Sequence, residues 1–131
     1  MKKKKTDRAK LKIRLEKMAK DIVRARDDNI CTKCKKFVEG SNRHCSHIIP
    51  ESADHRLALE PHNMIIMCFH CHINWWHKNP IEASEWALKL FPTLVLKLRQ
   101  EHLENSSKGP IKLSELEEIE ERLKEMQKIC Q

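Results

Sequence analysis

The chain predicts a mostly α fold with a small β-hairpin, and two observations carry that expectation. Only two Gly and five Pro interrupt its 131 residues, so long segments can run as helix without a breaker. Both ends are rich in Leu, Ile, Lys and Glu at helical spacing, whereas the strand-like runs are short, at 44–49 and 63–67. No uncharged apolar stretch is long enough to span a bilayer, and the opening Met1-Lys2-Lys3-Lys4-Lys5 lacks the apolar run of a signal peptide. The expectation is an intracellular, cytoplasmic domain.

Each element has its own signal. Leu11, Leu15, Met18 and Ile22 recur on one face of a basic helix over 6–26, which Asp27-Asp28-Asn29 ends. Cys31-Thr32-Lys33-Cys34 makes a tight turn in a short polar stretch, and the runs at 44–49 and 63–67 pair as strands across the Pro50–Pro61 loop. From Cys68 the pattern turns helical and breaks at Asn79-Pro80. There a second helix starts with Asn79 as N-cap, Pro80 in the first turn and Glu82 as capping-box partner, and it stops at Pro92. A third helix covers 93–104, a turn-rich linker 105–110, and a last helix opens with the capping-box pattern Ser114-Glu115-Leu116-Glu117. Along it Leu116, Ile119, Leu123, Met126 and Cys130 form one stripe, which either packs back on the domain or pairs with a second copy as a homodimer. The chain thus divides into a basic N-terminal helix or arm (1–28), a metal-stapled core (29–92) and C-terminal helices (93–131).

The formal charge of +7 is unevenly spread. Residues 1–36 hold fifteen Lys and Arg against five Asp and Glu, whereas residues 101–131 hold five against eight. That asymmetry suggests an anionic polymer as partner, although the lysine run alone is equally a solvated tail. Four of the six cysteines form two CxxC pairs, Cys31/Cys34 and Cys68/Cys71, separated by thirty-three residues. Two knuckles closing around an inserted hairpin give four thiolates, a closed tetrahedral set for a structural Zn²⁺ ion. The region from about Asn29 to Phe91 is too small to rely on a hydrophobic core alone, so zinc binding and folding are coupled. His70, or His44 with Cys45, compete as ligands, and Cys45 and Cys130 otherwise read as small apolar residues.

Seven of the eight histidines fall between positions 44 and 77, which makes chance clustering a poor explanation. The segments Arg43-His44-Cys45-Ser46-His47-Ile48-Ile49-Pro50 and Pro61-His62-Asn63-Met64 to Cys71-His72 carry a His followed by two aliphatics and Pro, an Asn opening the next strand, and a His directly after the second CxxC. This arrangement resembles the HNH, or ββα-metal, endonucleases. A wider likeness covers roughly residues 10–100 and is similar to phage NinG-type recombination endonucleases and, more distantly, endonuclease VII. It adds Arg26-Asp27 before the first knuckle, and Asn79-Pro80 and Trp86 after the site.

The resemblance implies a metal-dependent DNA endonuclease with a zinc-stapled ββα-metal core flanked by helices, and branched or junction DNA as substrate. His47 then acts as general base, a role suited to an imidazole because its ordinary pKa lies near neutrality. Asn63 clamps the hairpin loop, and His72 ligates the catalytic Mg²⁺ or Mn²⁺. Many relatives carry Asp or His immediately before the base, where Ser46 stands here. His44 is the favoured substitute. His77 lies five residues after His72, which on a regular helix turns it about 140° away, so it needs a kink or else contacts phosphate.

Arg43, Arg56, Lys33, Lys35 and Lys36 are the remaining candidate DNA contacts. Trp75 and Trp76 are core residues or platforms for an unpaired base, and His55, His62 and His70 need no special role. The competing function is a non-catalytic, zinc-stabilised nucleic-acid-binding module.

Overall fold

The computed structural model describes residues 6–129 and orders them as one long helix, a two-stranded hairpin, a short π-helical segment and three further helices. Helix α1 (Asp7–Arg26) begins at Thr6, whose side chain accepts the Ala9 amide at 3.2 Å, with Asp7 in the first turn and Arg24 and Arg26 in the last. These charges oppose the helix dipole at each end. Leu11, Leu15, Ala19, Ile22 and Val23 make its buried face. The lysine run at 2–5 and Cys130 lie outside the described residues.

Asp28 and Asn29 then take left-handed conformations (φ 51° and 59°), which short polar side chains tolerate better than branched ones, and the chain reverses into the first knuckle. Arg26 and Asp27 fasten this corner. The Arg26 guanidinium pairs with Asp27 and donates to the carbonyls of Pro61 (2.9 Å) and Met64 (2.6 Å), and the Asp27 carboxylate accepts the Ile66 amide at 3.3 Å.

Strands β1 (His44–His47) and β2 (Met64–Met67) pair antiparallel, His44 opposite Met67 and His47 opposite Met64. β2 is Met-Ile-Ile-Met without alternation, and all four residues are buried; α1 and the π-helical segment His70–Trp76 both pack on it. Helices α2 (Pro80–Leu90) and α3 (Pro92–Ser106) pack on each other, and α4 (Leu113–Ile129) lies against α1. One core cluster joins Leu15 and Val23 of α1, Cys31 and Val38 of the knuckle region, β2, and Leu116, Ile119 and Leu123 of α4. Residues from all three sequence segments therefore share a single interior.

Two local expectations are corrected. The Asn79 side chain does not cap α2 but donates back to the Trp75 carbonyl at 3.3 Å, so no capping box with Glu82 forms. Helix α4 starts at Leu113 rather than Ser114, and Glu115, held by Arg56, is the side chain that accepts the Lys112 amide. Of the two alternatives for the α4 stripe, the structure shows packing within the chain: Leu116, Ile119 and Leu123 are buried, and the neighbouring Arg14 binds Glu120 at 2.6 Å. Apolar area is removed from water once, by whichever surface reaches it first, and α1 is tethered to α4 in the same chain. Among the described residues no helix is long and apolar enough to cross a membrane.

Candidate metal centre and histidine cleft

The two CxxC turns meet. The sulfurs of Cys31, Cys34, Cys68 and Cys71 all lie within 4.8 Å of one another, and Cys34 Sγ stands 3.9 Å from Cys68 Sγ. Four sulfurs about 2.3 Å from a tetrahedral Zn²⁺ ion stand about 3.8 Å apart, so this set could hold a metal ion such as zinc. In each turn an amide faces the first sulfur: Cys34 N lies 3.5 Å from Cys31 Sγ, and Cys71 N lies 3.4 Å from Cys68 Sγ.

Burial pushes the Cys31 thiol up, but the backbone amides of Cys34, Cys68 and Lys33 outweigh it and bring it down to about 7. Burial and the neighbouring thiols of Cys68, Cys31 and Cys34 drive Cys71 the other way. Four adjacent sulfurs cannot all ionise without a cation to offset their repulsion. Neither His70 nor the His44–Cys45 pair joins the cluster.

Immediately beside it the histidines form a different arrangement. On a strand, neighbours point to opposite faces, so His44 and His47, three apart, cannot share one. Cys45 and His47 line a cleft of about 850 Å³ together with His72 and His77, whereas His44 and Ser46 do not. Ser46 is fully buried and its hydroxyl has no partner among the described residues. The strand period was a readable signal that Ser46 and the base do not face the same space.

His47 Nε2 donates to the Ala58 carbonyl at 3.0 Å. A carbonyl can only accept, so Nε2 carries a proton, and in the neutral form of the ring the free lone pair is then on Nδ1. Asn63, fully buried, holds the loop that supplies this carbonyl: its Oδ1 accepts the Ile49 amide (2.8 Å), and its Nδ2 donates to the carbonyls of Ile49 (3.0 Å) and Leu57 (3.1 Å).

His72 stands at the centre of a chain of imidazoles. Its Nδ1 is 2.9 Å from His44 Nδ1, and its Nε2 is 2.9 Å from His77 Nε2. The objection that a five-residue offset separates His72 from His77 is removed by the backbone. The segment is π-helical, the His77 amide bonds the His72 carbonyl at 3.1 Å, and a five-residue period brings the two rings onto one side. Burial lowers the His72 pKa to about 4, and repulsion from His77, His44 and His47 adds to it, so the ring is neutral at cellular pH.

The basic residues divide. Arg56 is not beside the histidines as a free cation. Its guanidinium holds Glu115 through two contacts (2.8 and 3.1 Å) and donates to the Gly109 carbonyl, because a planar fork and a carboxylate match geometrically. Arg43 donates to the Asn29 side chain at 3.3 Å. Lys33 sits over the Trp75 ring, 4.6 Å from its centroid, while Lys35 and Lys36 are exposed. Trp75, Trp76 and Trp86 pack edge to face as a half-buried cluster against the main core. The sequence reading missed Lys20, which lines the histidine cleft from α1. Its only sequence signal was membership of a basic helix.

Comparison with protein-family models, curated proteins and solved structures finds no match, so the likeness to known endonucleases rests on the motif residues themselves.

Proposed function

We propose that the chain is a metal-dependent DNA endonuclease of the HNH type, with His47 as general base. The observation that carries this reading is the cleft that His47, His72 and His77 line together, with a His47 proton held on Nε2 by Ala58 and Nδ1 left to take a proton from water. The donor set suits a divalent ion. Two nitrogens bound at right angles about 2.1 Å from one ion stand about 3.0 Å apart, which matches His72 against either neighbour.

Of the two pairs, His72 with His77 lines the cleft that holds His47, so these two are assigned as the ligands of Mg²⁺ or Mn²⁺. His44 then orients His72 through its other nitrogen, the supporting role that ligand histidines commonly need. When bound, the ion supplies charge to offset that of the scissile phosphate and the departing oxygen. Asn63 is a positioning residue, acting through the loop that carries Ala58. The preference for branched or junction DNA, of the kind processed in phage recombination, comes from the motif resemblance and not from the cleft.

One observation favours the competing module that binds without cutting: Ser46 replaces the usual acidic or imidazole ligand and is buried out of reach. A single assay separates the two. The purified, zinc-loaded chain is given supercoiled plasmid with Mg²⁺ or Mn²⁺, and nicking is expected to stop when the divalent ion is omitted. His47→Ala should lower the rate by about 10² to 10⁴ with an unchanged melt. If His47→Ala cuts as fast as the parent, the base is wrongly assigned; binding without any nicking by the parent leaves the non-catalytic module. Flap, junction, single-stranded and duplex substrates compared under one condition test the branched-DNA assignment.

A further inference from the structure

A second cavity of about 620 Å³ opens between the start of α1, the 53–56 loop and the end of α3. Arg8, Lys12, Arg56, His102 and Lys108 line it, and Asp54 is its one acidic lining residue among those described. That carboxylate is buried and already engaged: His102 lies 3.0 Å from one oxygen, and the amides of Arg56 and Leu57 donate to the other at 3.0 and 2.9 Å. Arg56 is matched by Glu115. Arg8, Lys12 and Lys108 have no carboxylate within ion-pair distance among the described residues; Arg8 donates to the Ile111 carbonyl and Lys108 to the Asn105 side chain, both neutral. Three cations without an ion-pair partner, set against the one Asp54 carboxylate, leave a net positive field there.

The two cavities adjoin, since His55 lines both. They also share a ridge of α1. Arg8, Lys12, Glu16 and Lys20 follow at four-residue intervals, which places them along a single row of the helix surface. Arg8 and Lys12 face the second cavity and Lys20 faces the histidine cleft. Twelve residues of helix extend about 18 Å, a length of several nucleotides.

We infer that this ridge is a backbone track: a DNA strand lying in the histidine cleft continues past His55, its flanking phosphates resting on Lys20, Lys12, Arg8 and Lys108. The inference rests on the endonuclease reading for the strand's position and adds the path the strand takes away from the site. The cations contact phosphates, so the track contributes affinity and not base choice. Glu16 is the one adverse charge on the row.

The experiment measures binding of a labelled 30-nucleotide DNA, single-stranded and duplex, as a function of salt, in a zinc-loaded His47→Ala background that prevents cutting. Lys12→Glu with Lys108→Glu is expected to reduce the salt slope by about two and to weaken binding on the order of a hundredfold at low salt. Glu16→Gln is expected to tighten binding about threefold at low salt, a gain that misfolding cannot mimic. Parental slope and affinity in the double variant, or no gain from Glu16→Gln, overturns the track. RNA of the same sequence binding tenfold tighter than DNA overturns its assignment to DNA. Failure of the endonuclease reading looks different: the parent then leaves plasmid uncut with Mg²⁺ or Mn²⁺ while the slope change persists.

Discussion

The sulfur cluster and the histidine cleft adjoin in the chain, Cys71 being followed directly by His72, yet they are built in opposite ways. At the sulfurs, four side chains of one kind converge on a single point, two amides face them from the turns, and Cys31 and Cys71 are buried. At the histidines, the rings meet in pairs through different nitrogens, one of them is turned away by the strand period, and the group opens on a cavity of about 850 Å³. A closed set of four donors leaves an ion no free position and makes a staple. Two donors beside an open cavity leave room for water and a phosphate. The sulfur geometry suits an ion that holds the scaffold; on the proposed reading, an ion at the histidines would instead act on what enters the cleft.

The largest effect should follow from breaking the staple. Removing zinc with a strong chelator, or replacing Cys71 by Ser, should abolish the cooperative melt, because structural zinc contributes about 10 kcal/mol or more in small domains. His72→Ala combined with His77→Ala should keep the melt and lose only divalent-dependent cutting. Circular dichroism melts with zinc quantified per chain check both. A cooperative melt that survives zinc loss would erase the distinction between the two regions.

Next in size is the link between them. Asn63 makes three backbone bonds in the interior, and Asn63→Ala leaves the Ile49 amide and the carbonyls of Ile49 and Leu57 without this partner. Stability should fall by about 1–3 kcal/mol. Because the freed loop also carries the Ala58 carbonyl, cutting should fall even where the protein remains folded, and the pH profile of the rate should shift. An unshifted profile would reduce Asn63 to a packing residue.

How much of this could be read in advance follows from the range of each interaction. The cysteine pairs, the hairpin, the Thr6 start of α1 and the Pro92 break between α2 and α3 are written locally, in spacings of a few residues. Three other features are not. The π-helical turn that brings His77 to His72 has no short-range signature beyond the interval itself, and a regular helix puts that interval on the wrong side. The Arg56–Glu115 pair spans 59 positions, so composition marks both as charged without telling either that it has a partner. The α4 stripe declares an apolar face but not whether α1 or a second chain covers it. Periodicity identifies surfaces, whereas packing decides what meets them.

Acid should weaken the contacts that hold Asp54 and Glu115 as carboxylates. Burial alone would raise the Asp54 carboxyl, but the Leu57 amide, His102 and Asn105 outweigh it and hold it below its ordinary value. The hydrogen bonds from Arg56 bring Glu115 down to about 2, against an opposing effect of burial. Depressed carboxyl pKa values mean that the folded chain binds fewer protons than the unfolded chain at acid pH. Their stabilisation is therefore complete above the unfolded values near 4 and is lost as pH falls from about 4 towards 2. Thiolates also take up protons in acid and let zinc go, so the two regions must be separated. Glu115→Gln should flatten the dependence of the urea midpoint on pH below 4 without moving the pH at which zinc is released. If both move together, the sulfur site governs the acid limb and the pair at α4 contributes little.

The smallest effect concerns the residue that bridges the two regions. Lys33 belongs to the first knuckle, yet its ammonium lies over Trp75, which follows the cleft histidine His72 in the π-helical segment. A cation held against an aromatic face is worth about 0.5–1 kcal/mol, and the same charge is then less available to a phosphate. Lys33→Met, which keeps the aliphatic stem, should lower stability by about that amount and leave the salt slope of DNA binding unchanged. Lys36→Met, on an exposed side chain of the same loop, should do the reverse: no loss of stability and a slope lower by about one if the knuckle faces DNA. Should Lys33→Met lower the slope and spare the melt, the lysine serves the nucleic acid rather than the joint between staple and cleft.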